Sequence, residues 1–93
     1  MSEPVRIDSL PEPVVSLLRA VHDALDLPLP GLTDADERAY HVLMHDRASR
    51  ARIVLAGVLA DRHDLGPADA MLREWTAGAP VTYTPWIDRG GAV

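Results

Sequence analysis

The stretch RAYHVLMHDRASRAR, residues 38–52, holds the side chains of this sequence that are best suited to chemistry. If the stretch is helical, at about 100° per residue, five polar residues share one flank. They are Arg38, His41, His45, Ser49 and Arg52. His41 and His45 are four residues apart, so both imidazoles could point at one metal ion, as they do in helical zinc sites.

A metal site at this histidine pair would need further ligands. Another histidine or an aspartate could supply them, but HVLMH lacks the glutamate of the HExxH metalloprotease motif. Arg38 and Arg52 on the same flank also oppose the binding of a cation. His41 and His45 are therefore weak candidates, and we expect neither a metal nor another cofactor. The alternative is that the five residues form a solvated or partly buried helix flank.

The arginines of this stretch indicate a second chemistry, because guanidinium groups donate forked hydrogen bonds to phosphate or carboxylate. Residues 47–52 contain three arginines and no acid. On a helix, however, Arg50 and Arg52 point about 160° apart. The net charge of -5 also opposes long-range attraction of nucleic acid. A DNA-binding accessory factor that uses arginines of the central helix is an alternative, but nucleic acid is not the favoured partner.

Signals for catalysis are weak. The chain has no cysteine, its serines lack the glycines of a nucleophile elbow, and no glycine-rich phosphate loop is present. We therefore predict that the protein is not an enzyme.

The start, MSEPVRIDSLPEP, has neither a basic region nor an apolar run, and no stretch is apolar for the length of a membrane span. The expectation is a cytoplasmic protein with no membrane partner.

The length of 93 residues predicts one small domain, with residues 1–9 and 87–93 mobile. We predict an all-α fold whose three helices span residues 11–26, 34–62 and 67–77, followed by an extended C-terminal arm at 80–86.

Prolines and capping residues set these helix boundaries. Ser9 has the capping-box spacing to Glu12, and Pro11 suits the first helical position. The leucine- and proline-rich run at 27–32 ends the first helix, and its leucines are expected to fold back onto the core. Thr33 caps the second helix, and Pro67 opens the third. Along the first helix the apolar residues that should face the core are Val14, Leu17, Leu18, Val21 and Leu25.

The central helix has a second apolar side. With Tyr40 at zero, four residues lie at about 160–220°, away from the main seam: Val42, Ile53, Ala56 and Ala60. The flanking helices, at roughly 24 and 17 Å, can cover one side of a helix of roughly 43 Å but hardly both. We therefore predict a partner interface at these residues, with a second copy or another protein as partner. Alternatively, the loop and the arm cover this side within the monomer.

Tyr83 and Trp86 of the arm are added to the predicted interface, because Tyr and Trp dominate interface hot spots. The alternative is that they supply aromatic bulk to a core that has no phenylalanine.

Arg47 conflicts with this helix pattern, since it projects into the main apolar seam. An unpaired buried guanidinium costs several kcal/mol. We expect Arg47 to pair with a carboxylate, with Asp23, Asp26 and Asp36 as candidates. The alternatives are that it reaches past the helix edge, or that the helix breaks near Asp46–Ser49.

The stretches LPEPVVSLLRAVHDALDLPLPGLTDADERAYHVL and APVTYTPW, within residues 10–86, resemble a group of small uncharacterised actinobacterial proteins. Some of these are carried by phages or integrated mobile elements. The resemblance implies a context and no activity. Together with the residue patterns, it leads us to predict a non-enzymatic protein-interaction module, homodimeric, acting as an accessory or regulatory factor of a phage or mobile element.

Overall fold

Three α-helices build the protein. The computed structural model describes residues 4–62 and 64–86. In this part of the chain α1 spans Glu12–Leu25, α2 spans Asp34–Ala60 and α3 spans Leu65–Gly78, with a short 3-10 turn at Ile7–Ser9 before them. Residues 4–62 and 64–86 contain no β-strand. The predicted all-α class with a long central helix is confirmed.

The helix ends follow the caps and prolines, with two corrections. Thr33 caps α2, because its Oγ1 accepts a hydrogen bond of 3.0 Å from the backbone N–H of Asp36. Ser9 does not cap α1: it lies in the 3-10 turn, where its hydroxyl donates to the carbonyl of Arg6. α3 begins at Leu65, two residues before Pro67. A proline is tolerated there because the N–H groups of a first helical turn have no partner within the helix.

The helices are arranged around one end of α2. α1 and α3 run in the same direction, because Ser16 contacts Asp69 and Asp23 contacts Arg73 further along both helices. The turn after Ala60 sends α3 back along the second half of α2. The buried residues of α2 all lie at or after Arg47, so the first half of α2 extends beyond the region where the three helices pack.

The core consists mainly of small side chains. Leu72 of α3 is its largest fully buried residue, and Ala20 and Ala24 of α1 are almost completely buried. Leu18 and Leu25, which were predicted to face the core, are substantially exposed instead. α1 packs through these alanines, which let the helices approach closely, and through Leu17, which is 5 % exposed and faces the core as predicted.

Arg47 lies in the interior of this arrangement and is 6 % exposed. One guanidinium nitrogen donates to the carbonyl of Ala24 at 3.0 Å, and the other donates to the carbonyl of Ala79 at 2.7 Å. These carbonyls stand at the C-terminal ends of α1 and α3, where the last carbonyls have no partner within the helix and a cation is favoured.

The expectation of a carboxylate partner for Arg47 is wrong. Asp36 accepts a hydrogen bond from the backbone N–H of Thr84 instead, and Asp23 lies beside Arg73 and His22. The helix is also continuous through residues 46–49. Helix C-termini, and not an acidic side chain, receive this buried charge.

A polar cluster joins α1 to α3 at the surface. The Ser16 hydroxyl donates to Asp69, and Arg73 binds the same carboxylate at 2.6 Å while also donating to the Ser16 carbonyl. The hydrogen bond from Ser16 lowers the pKa of Asp69 below its ordinary value of 3.8; partial burial opposes this, and the charge and hydrogen bond of Arg73 add to it.

We expect Arg47→Met to lower the free energy of unfolding by about 2–4 kcal/mol, because two buried carbonyls lose a charged donor. Arg52→Met, at an exposed position of the same helix, is expected to change it by less than about 0.5 kcal/mol. Urea denaturation followed by circular dichroism measures both. Equal stability of Arg47→Met and wild type would contradict a net stabilising role for the buried guanidinium.

We also expect a loss of stability in acid that depends on Asp69. Because its folded pKa lies below the unfolded value of 3.8, its contribution is complete above that pH and is lost as the pH falls through the folded pKa. Asp69→Asn should therefore remove part of the stability loss that wild type shows from about pH 5 to about pH 2 in urea denaturation. Asp26→Asn leaves the cluster intact and serves as the control. An unchanged acid profile in Asp69→Asn would contradict the assignment.

Candidate protein-interaction surface

The side of α2 that points away from α1 and α3 carries exposed apolar residues. Val42 is 70 % exposed, Ile53 is 55 % exposed and Leu59 is 79 % exposed, although all three lie within one helix of a folded chain. Ala56 and Ala60 on the same side are exposed as well. We call these five residues the outer face of α2.

The outer face exists because the other helices all lie on one side. The buried residues of α2 are Arg47, Ala51, Val54 and Gly57, which share a single side of the helix. Val42 and Ile53 project more than about 100° away from the middle of that side, at about 100° per residue. The loop at 27–32 and the segment at 79–86 do not cover them. The alternative in which these segments cover the outer face within the monomer therefore does not apply.

Two grooves border the outer face, one at each end. Groove A has a volume of about 680 Å³ and lies between the second half of α2 and the start of α3; its apolar lining includes Ile53, Ala56 and Met71. Groove B has a volume of about 710 Å³ and lies between the first half of α2 and residues 78–82; its lining includes Val42 and Leu43. Arg52 stands in groove A and Arg38 in groove B.

The predicted interface residues of α2 are thus accessible, but the two aromatic residues of the arm differ. Trp86 is 47 % exposed, and its backbone N–H donates to the carbonyl of Leu29. Tyr83 is buried, with its hydroxyl 2.5 Å from the carbonyl of Pro28 and its ring against Tyr40 at 5.8 Å. Tyr83 is therefore removed from the interface residues, because its side chain fills the space between the loop and α2.

The segment that carries these aromatic residues pairs with the loop after α1. The N–H of Gly31 donates to the carbonyl of Thr84 at 2.8 Å, next to the contact between Trp86 and Leu29. A Cβ at Gly31 would come within 2.9 Å of both the Thr84 carbonyl and the Asp36 carboxylate. Two of the three loop leucines do not return to the core as expected: Leu29 and Leu32 are exposed, because this backbone pairing directs the loop along the surface, whereas Leu27 is half-buried.

The polar flank of α2 lies on the surface, but its residues do not form one binding site. Arg38, His41, His45 and Arg52 are exposed, and Ser49 is half-buried. His41 lies 3.8 Å from Glu37, one helical turn earlier. Among the described residues, no three His, Cys, Asp or Glu side chains are grouped so that they could hold a metal ion. His63, a further candidate ligand, lies outside the described residues.

The three arginines of residues 47–52 do not form one basic patch. Arg47 is buried, and Arg50 donates from its Nε to both oxygens of Asp46 at 3.1 Å. The guanidinium carbon of Arg50 also lies 5.0 Å from the centre of the Trp75 ring, within the range of a cation–π contact. Only Arg52 of the three faces solvent freely enough to meet a polyanion.

Sequence reasoning missed Leu59 and the two grooves. Leu59 continues the apolar period of α2, so residue types alone do not distinguish it from the inner residues. The grooves depend on where α3 begins and where the segment after it lies, which no local pattern encodes.

No helix of residues 4–62 and 64–86 has both the length and the apolar character to cross a bilayer.

No protein-family model, curated protein or solved structure gives a significant match to the chain.

Tyr83→Phe removes the hydroxyl that donates to Pro28, and we expect it to cost about 1–2 kcal/mol of folding stability. Burial raises the pKa of Tyr83 above its ordinary value of 10.0, with Tyr40 adding to the rise and Arg47 opposing it. The hydroxyl's contribution should therefore be complete below pH 10.0 and be lost as the pH rises through the folded pKa.

Urea denaturation of both proteins at neutral and alkaline pH measures the difference. Tyr40→Phe keeps the hydrogen bond between Tyr83 and Pro28 and is the control. If Tyr83→Phe and Tyr40→Phe proved equally stable at neutral pH, the hydrogen bond would not anchor the segment.

Proposed function

We propose that this chain is a non-enzymatic protein-interaction module that associates through the outer face of α2, with a second copy of itself as the partner. The observation that carries the proposal is the exposure of Val42 and Ile53 on a helix that buries four other residues, from Arg47 to Gly57, within the folded chain. Isolated exposed apolar residues are common, but a row along one helix bordered by two apolar grooves is typical of an interface.

The surrounding residues support association with protein more than with nucleic acid. Both grooves are mainly apolar, and each contains arginine together with aspartate: Arg52 with Asp61 in groove A, and Arg38 with Asp46 in groove B. Mixed charge around an apolar centre is the usual composition of a protein interface, whereas a nucleic-acid site needs clustered positive charge.

The resemblance to actinobacterial proteins, some of them carried by phages or mobile elements, gives this module a context. We propose that it serves there as an accessory or regulatory factor that acts by association rather than by chemistry.

Light scattering at several protein concentrations tests the association. We expect wild type to have the mass of two chains. Val42→Glu and Ile53→Glu are each expected to weaken the dimer by about 100-fold or more, because a charge would be buried without a partner. Both positions are exposed in the single chain, so circular dichroism and urea denaturation should show an intact fold.

Leu32→Glu is the matched control, since it places the same charge at an exposed leucine outside the outer face. It is expected to leave the mass of two chains. A wild-type mass of one chain at all concentrations would refute the homodimer, and loss of the dimer in Leu32→Glu would move the interface to the loop.

A further inference from the structure

The core cluster joins α1, the second half of α2 and α3. Its buried members are Leu17, Ala20, Ala24, Ala51, Val54, Ala68 and Leu72. Among the described residues, this cluster has no member in the first half of α2, residues 34–46, or in the final segment, residues 80–86, which we call the strap. The buried residues of α2 all lie between Arg47 and Gly57. The core therefore does not hold the first half of α2 in place.

The strap is held by a separate set of contacts. Tyr83 is buried outside the core cluster, where its ring lies 5.8 Å from the ring of Tyr40. Its hydroxyl donates to the carbonyl of Pro28. The strap also shares two backbone hydrogen bonds, of 2.8 and 2.7 Å, with the loop at 27–32. One aromatic side chain and a few hydrogen bonds thus connect the strap, the loop and α2.

Asp36 connects the strap to the start of α2. Its carboxylate accepts a hydrogen bond of 3.1 Å from the backbone N–H of Thr84, and its own backbone N–H donates to the capping hydroxyl of Thr33. Asp36 also lies in the first turn of α2, where the helix dipole favours negative charge. Because one residue serves both the helix start and the strap, the loss of one contact weakens the other.

The two regions differ in what stabilises them. The core is stabilised by apolar side chains from three helices, whereas the strap region depends on hydrogen bonds near the surface and on Tyr83. Segments with few buried apolar contacts open at a lower free energy than the core, and they open as cooperative units. A helical stretch as short as the first half of α2 is also marginal in water without packing.

We propose that the strap, the loop at 27–32 and the start of α2 open together as one unit while the three-helix core stays folded. The closed unit is the state that the structure shows, and Asp36 and Tyr83 are the side chains that keep it closed. This conformational device goes beyond the proposed association and does not depend on it.

Opening of the unit changes the surface of α2. Ala79, Pro80 and Thr82 form one wall of groove B, and Val42 and Leu43 belong to the opposite wall. When the strap leaves, this groove loses a wall, and the half-buried Leu43 becomes accessible. The strap therefore controls how much of the apolar surface in the first half of α2 can be reached.

Amide hydrogen exchange, followed by NMR at several low urea concentrations, tests the unit. The N–H groups of Gly31 and Trp86 report on the strap and the loop, and the N–H of Leu72 reports on the core. After correction for intrinsic rates, we expect Gly31 and Trp86 to exchange at least about 10-fold faster than Leu72. Their exchange should also depend less on urea, because opening the unit exposes little surface.

Val54→Ala distinguishes opening of the unit from unfolding of the whole chain. Val54 belongs to the core, and the loss of two buried methyl groups should speed the exchange of Leu72 by about 10-fold. Val54 stays packed when only the strap and the loop open. The exchange of Gly31 and Trp86 is therefore expected to be unchanged in this variant.

Tyr83→Phe tests whether the strap and the loop open together. Loss of the hydroxyl that donates to Pro28 should speed the exchange of Gly31 and Trp86 by the same factor, about 10-fold. Tyr40→Phe leaves that hydrogen bond in place and is the matched control.

Three results would overturn the proposal. If Val54→Ala sped up Gly31 and Trp86 as much as Leu72, the chain would unfold as a whole. If Tyr83→Phe affected Trp86 and not Gly31, the strap and the loop would open separately. Exchange of both amides at their intrinsic rates in wild type would show that the unit is not closed in solution.

Discussion

The guanidinium of Arg47 determines how the three helices meet. It projects from the middle of α2 and donates to the carbonyls at the C-terminal ends of α1 and α3. A single side chain thereby fixes where both shorter helices end relative to the long one. The cost of burying its charge is offset by two helix ends. Each end carries a partial negative charge and has carbonyls that lack a partner within the helix. Residues of α2 before this point extend past the bundle and depend on the loop and the final segment for support.

The same arrangement explains why α2 has apolar residues on both sides. Its inner side accommodates a charged residue, because the two terminal guanidinium nitrogens of Arg47 donate to backbone carbonyls. Its outer side carries Val42, Ile53 and Leu59, which no other part of residues 4–62 and 64–86 covers. Polar and apolar residues are therefore mixed around the helix, in contrast to α1, where one side is clearly apolar. The association that we propose would bury this outer side.

Sequence reasoning predicted the helices well, because prolines, caps and apolar spacing act locally. It predicted the accessible part of α2 from a comparison of helix lengths. It failed where a contact depends on backbone groups or on small residues. The acceptors of Arg47 are carbonyls, which every residue has, so only the position of the helix ends distinguishes Ala24 and Ala79. The core side of α1 consists of Ala20 and Ala24 together with the predicted Leu17, whereas Leu18 and Leu25, which were also predicted to face the core, are exposed. Tyr83 is buried because the loop at Pro28 passes over it, and that contact joins residues 55 positions apart.

The pairing between the loop after α1 and the last described residues has a consequence for biosynthesis. The loop lies early in the chain, but its backbone partners, Thr84 and Trp86, are near the end. The carbonyl of Ala79, which accepts a hydrogen bond from Arg47, is also synthesised late. During synthesis, α1 and α2 emerge before either of these contacts can form. These contacts of the first two helices therefore form only after residues 79–86 have been synthesised, and a cut after α3 would loosen a region that was synthesised long before the cut site.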